Sequence, residues 1–221
     1  MSAQNLIFLV FALVLLLIPR SWLRLGARVT PKPPRKYNQA KVERDPYDHT
    51  VKPEAEAMKP RNWLDLFRGM VGAGVLFYVA EDKAGSAGLV ATPYFGWAIA
   101  LLVIAVVSQM IRLQGRLGLF APIFFLQGVN LGINGAVVGL IVMLGSWALS
   151  PVLPSAGALL FVQGATALIL CFLLNDATPA YGLVVAGLCW VPVLVSILMR
   201  KRLSASFDKK LKIIPRDARA D

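Results

Sequence analysis

Residues 117–145 read LGLFAPIFFLQGVNLGINGAVVGLIVMLG, an apolar run interrupted only by the amides Gln127, Asn130 and Asn134. At about 100° per residue the three amides fall within roughly a 60° arc of one helix face. Gly128, Gly132, Gly135 and Gly139 form two G-x-x-x-G pairs on an adjacent arc. In hydrocarbon both stripes call for another helix. Glycines let two backbones approach closely, and an amide needs a hydrogen-bonding partner. This central helix places the chain in a membrane.

Composition agrees. The chain is 57% hydrophobic with a mean hydropathy of +0.65, too apolar for a soluble domain of 221 residues. Its formal charge is +11, and the excess sits in two places. Residues 20–62 hold 11 basic and 5 acidic side chains, and residues 200–221 hold 8 and 3. Charge concentrated at the flanks of apolar segments signals orientation and contact with anionic lipid headgroups, not nucleic-acid binding. Cys171 and Cys189 both lie in apolar runs and read as small buried hydrophobes.

Outward from the centre, residues 93–199 read as a four-helix transmembrane core. Pro93 opens one span that runs to about Ile111, with Tyr94 and Trp97 as interface anchors, and Arg112 and Arg116 bracket a short turn. The central helix follows, with Pro122 in its first turns. Residues 155–174 and 181–199 are the last two spans, joined by a turn rich in Asn, Asp and Pro, and Pro192 marks a kink. At the N-terminus, residues 6–18 give about 20 Å of helix against a core of roughly 30 Å. With no Lys or Arg before it and no small-x-small site after it, this run reads as a retained anchor rather than a signal peptide. Residues 1–29 form that anchor together with a stripe of Arg20, Arg24 and Arg28, set for lipid headgroups. Residues 30–62 carry six prolines and cannot build a core of their own, so they read as a polar arm. Asp45, Asp48 and His49 there read as a solvated patch rather than a metal site. The basic tail, 200–221, suits a surface-bound segment.

Residues 63–80 are ambiguous. Asn62 caps a helix, Asp65 and Arg68 stand three apart and can pair, and Gly69, Gly72 and Gly74 lower the helix preference. The segment either lies in the interface, re-enters or spans. If it does not cross, the loop 20–92 and the tail put 21 basic residues on one side, with only Arg112 and Arg116 opposite. If it crosses, the split is 14 to 9. Positive-inside bias favours five transmembrane helices over six. The fold expected is thus an all-α, polytopic integral membrane helix bundle with a proline-rich arm. It is of bacterial inner-membrane type, with the N-terminus outside and the C-terminus cytoplasmic.

Gln163 and Thr166 share a face at i, i+3 and are the expected partners of the Gln127–Asn130–Asn134 stripe across two helices. No His lies in a span, no charge sits at mid-membrane in the five clear spans, and no nucleophile, zinc or phosphate-loop motif occurs. An enzyme is therefore disfavoured, and no cofactor or metal is expected. The expected function is a non-catalytic membrane subunit that scaffolds or assembles a larger membrane complex with other membrane subunits. The alternative is a small channel or carrier for a neutral solute lined by the amides. A lipid-modifying enzyme is the weaker third reading.

Overall fold

The computed structural model describes residues 3–19, 60–114, 116–153, 155–174, 179–201 and 203–204. Among these residues six helices carry the fold: α1 (Ala3–Leu17), α2 (Pro60–Ala84), α3 (Pro93–Met110), α4 (Ile123–Leu149), α5 (Ala156–Leu174) and α6 (Pro179–Leu198). By length and composition alone, all but α1 qualify to cross a membrane, as expected of an integral membrane helix bundle. The arm through residue 59, the stripe Arg20, Arg24 and Arg28, and the tail beyond residue 204 lie outside the described residues.

Residues 63–80 belong to a continuous 25-residue helix, about 36 Å long. Its three glycines do not break it, because they are where it packs. A methyl group on Gly69 would strike the carbonyl of Phe125 in α4, and one on Gly72 would lie 2.8 Å from the Leu16 side chain in α1. Close packing on two faces compensates for the glycines' poor helix propensity.

α1 runs antiparallel to α2. Asn5 Nδ2 donates to Asp82 Oδ2 at 2.6 Å, the rings of Phe8 and Tyr78 lie 6.3 Å apart, and Leu16 meets Gly72. At the Ala84 end of α2, the rings of Phe77, Phe95 and Tyr181 cluster with centroids 5.6–6.3 Å apart, which joins α2, α3 and α6. α5 and α6 form an antiparallel pair. The Phe161 and Trp190 rings stack at 5.5 Å, and a methyl on Gly164 would lie 3.2 Å from Ala186 Cα.

The turn expected around Arg112 and Arg116 is a small sheet. β1 (Ile111–Gln114) pairs antiparallel with β2 (Arg116–Phe120), and β3 (Leu203–Ser204) lies parallel to β2. Residues 117–120, read from the sequence as the start of the central helix, are thus strand. The local pattern alternates Ile111, Leu113, Leu117 and Leu119 with Arg, Gln and Gly, which suits a period of two. Pro122 then disfavours helix at the residue before it, and α4 begins one residue later.

α4 departs most from expectation. It is broken at Gly135, where φ is 77° and ψ is 176°. A straight helix would separate Phe124 from Trp147 by about 34 Å. Their ring centroids are instead 5.6 Å apart. Gln127 Nε2 reaches Ser146 Oγ at 3.4 Å, and a methyl on Gly139 would lie 2.8 Å from Leu131 Cα. These pairs are disposed symmetrically about residue 135, so α4 is a helical hairpin with arms 123–134 and 136–149. The arms are about 18 and 21 Å long, each short of a roughly 30 Å hydrocarbon core. The backbone at Gly135 lies in a region open essentially to glycine alone, which is why the reversal falls there.

Two expectations of the chain trace change together. α2 passes right through the bundle, so residues 85–92 stand at the end opposite Pro60. α4 enters and leaves at the Pro60 end, as the ring pair Trp63–Trp147 at 6.4 Å shows. The strands bearing Arg112 and Arg116 therefore lie at the Pro60 end, and so does β3, beside β2. The region 93–199 holds three apolar helices and a hairpin, not four equivalent spans.

Candidate functional site: a re-entrant hairpin and its amides

The first arm of the hairpin runs parallel to α2 in almost direct main-chain contact. A methyl on Gly128 would strike the Leu66 carbonyl, with Leu66 C at 2.8 Å and Met70 N at 2.9 Å. One on Gly132 would strike the Met70 carbonyl and lie 2.9 Å from Gly74 N. The two helices therefore step together in fours, Leu66 with Gly128 and Met70 with Gly132. The tip reaches the level of Gly74, about 21 Å along the 36 Å of α2. The glycine stripe thus divides three ways. Gly128 and Gly132 face α2, Gly135 is the reversal, and Gly139 packs one arm against the other. Gly164, with Gly157 below it, faces α6 rather than the amides.

The tip is open. Gly135 and Ala136 are exposed, Val137 is 69% exposed, and Leu140, Ile141 and Leu144 continue an exposed apolar ridge down the second arm. Bare apolar side chains suit lipid. Non-helical backbone at mid-bilayer does not, because it needs protein or water to satisfy it.

Behind the tip the amides are sealed in. Gln127, Asn130 and Gln163 have no exposed surface, and Asn134 is 8% exposed. Asn134 Nδ2 donates to Asn130 Oδ1 at 2.8 Å, one turn below. Gln127 pairs within the hairpin, with Ser146, whose own hydroxyl donates to the Met143 carbonyl at 2.9 Å. The expected bonds from this stripe to Gln163 or Thr166 are not among the described contacts, and Thr166 is half-buried. Gln127 Oε1, Asn130 Nδ2, Asn134 Oδ1 and both polar atoms of Gln163 have no protein partner.

A second polar cluster lies nearer the Pro60 end. Arg68, 93% buried, pairs with Asp65 at 3.0 Å and donates to Gln109 Oε1 at 2.5 Å and to the Ile18 carbonyl. Its guanidinium carbon stands 5.4 Å from the Phe125 ring centroid. Gln109 Nε2 donates to the carbonyls of Leu16 and Ile18, both at 3.0 Å. These are the carbonyls that the end of α1 leaves without helical partners. A cation at a helix C-terminus also complements its dipole. The cluster therefore locks α1 to α2, α3 and the hairpin, and its bonds are structural. The Asp65–Arg68 pair was legible at i, i+3. Gln109 was not, because a lone Gln near the end of a span reads as an interface residue until α1 is laid against it.

No group of three metal-ligating side chains occurs among the described residues, and Cys171 and Cys189 are buried free thiols. No protein-family model matches this chain, and no curated protein or solved structure matches it significantly.

Proposed function

We propose that the chain is an integral membrane subunit that assembles with another membrane protein, using the open tip of the α4 hairpin as a point of contact. The observation that carries this reading is the exposed Gly135–Ala136 backbone, level with the middle of α2. Lipid cannot hydrogen-bond such a segment, whereas a neighbouring polypeptide can. The exposed ridge of Val137, Leu140, Ile141 and Leu144 beside it widens the contact.

The orientation we infer puts the Pro60 end in the cytoplasm and the N-terminus of α1 outside, in a plasma membrane of the bacterial inner-membrane type. Of 23 Lys and Arg residues, only Lys83, in the last turn of α2, falls at the Ala84 end. Every other one precedes α2, lies in its first turns, occupies the β1–β2 segment or follows α6. Positive-inside bias orients such a chain strongly.

The test is a photo-crosslinking amino acid at Val137, activated in native membranes before purification in mild detergent. The reading expects a crosslinked band containing a second membrane polypeptide, and weaker crosslinking from Leu183, which is exposed on α6. Lipid adducts alone from Val137 would refute it.

A further inference from the structure

We infer that the buried face of the hairpin and α5 together form an internal binding site for a small neutral molecule that both donates and accepts hydrogen bonds. The site consists of Gln127, Asn130 and Asn134 on one wall and Gln163 on the other. All four side chains are more than nine-tenths buried. Both α4 and α5 start at the Pro60 end, and Asn130 and Gln163 each lie seven residues in, about 10 Å deep on their helices. Gly164 turns toward α6, where its methyl position would meet Ala186. Gln163 is about 100° round the helix from it, on the buried stripe with Ala156 and Leu159. After α6, the described helix that α5 packs against most extensively is the hairpin. On the first arm, the amides lie away from the Gly128–Gly132 face that meets α2, and all three are buried.

The chemistry of the guest follows from which atoms lack partners. Gln127 Oε1, Asn134 Oδ1 and Gln163 Oε1 are acceptors, and Asn130 Nδ2 and Gln163 Nε2 are donors. No charged residue occurs in α4 or α5. A bare cation would face the two amide donors without a counter-charge, and an anion would face three carbonyl oxygens. Water satisfies both kinds of atom, and so does a small amide or polyol solute. Buried polar groups of this kind are nearly always satisfied by protein or by bound molecules. The site is occluded, and it stands whether or not the chain has a partner. Its failure would leave the subunit reading untouched.

The experiment uses the full chain in lipid nanodiscs with 15N-labelled Asn and Gln side chains. Proton magnetisation transfer to the Asn130 and Gln163 amide groups is recorded from water, then with acetamide added. The expected result is transfer from water to both amides, with the Asn130 signal lost in Gln163→Leu because the guest is shared. If acetamide displaces the water signal and raises the melting temperature, the guest is a solute. If acetamide changes neither, the guest is water. Absence of transfer from both water and acetamide protons in the wild type overturns the site, and so does an Asn130 signal unchanged in Gln163→Leu. If that variant fails to fold, Gln163→Met is read the same way.

Discussion

Replacing Gly128 with alanine puts one methyl group into the narrowest part of the α2–α4 contact. That methyl would strike the Leu66 carbonyl oxygen and stand 2.8 Å from its carbon and 2.9 Å from Met70 N. Relaxed carbon contacts need roughly 3.5–4 Å, so the two backbones must part by about 1 Å here. α2 has little room to yield. Its opposite face carries Gly72 against Leu16, and Arg68 is tied to α1 and α3. Overpacking by one group costs about 1–3 kcal/mol, and two rigid backbones put this case near the upper end. Alanine recovers about 1 kcal/mol of helix propensity. The net expectation is a loss of about 2 kcal/mol. Gly145→Ala is the matched control. It lies in the same helix with nothing within 4 Å of the added methyl, and should gain up to about 1 kcal/mol. Unfolding curves of the detergent-solubilised protein compare the two variants directly. Equal stability would show that the glycines do not mark a backbone contact, and the placement of the tip beside Gly74 would fall with it.

Other predictions test separate parts of the fold. Spin labels at positions 124 and 147 should report a separation under about 20 Å, whereas a straight spanning helix puts these backbones about 34 Å apart. Gly135→Ala meets no atom within 4 Å yet must hold φ at 77°, so it should cost about 1–3 kcal/mol through backbone strain alone; an unchanged melting curve would argue against the reversal. Arg68→Met strips the α1 carbonyls of a donor and leaves Asp65 without its cation, an expected loss of about 3–5 kcal/mol. Hydrogen exchange should rise across residues 3–17 in that variant, and protection equal to wild type would rule out the lock. Lys83→Cys should react with an impermeant thiol reagent in intact cells while Arg112→Cys and Lys201→Cys do not; the reverse pattern would invert the orientation.

Much of the architecture was legible because hydrocarbon imposes simple rules on sequence. The apolar lengths around 93–110, 156–174 and 179–198 needed no tertiary information. The pairing of Asp65 with Arg68 is equally local, since three residues bring two side chains onto one face. The amide face of 123–134 and its burial followed from periodicity, because an amide stripe in an apolar helix has nowhere favourable to point but inward.

Whether an apolar run crosses the membrane or returns is a different kind of property. Residues 117–145 have a composition compatible with either a straight span or a re-entrant hairpin, and Gly135 permits the reversal without compelling it. The choice depends on whether Phe124, Gln127 and Leu131 pack better against Trp147, Ser146 and Gly139 than against other helices, a long-range matter outside any window of residues. Residues 63–80 present the converse case. Three glycines look like weak helix until Phe125, Leu16 and Gly132 are seen packed against them. The two differences cancel in the count of crossings after α2, so Pro60 and Ser204 lie at one end of the bundle while the connection 85–92 lies at the other. Composition and periodicity thus determined that this protein is a bundle of membrane-length apolar helices with buried amides. Only packing decided which helices cross, where the chain turns back and which amide atoms are left without partners, because each is settled by contacts between residues far apart in the chain.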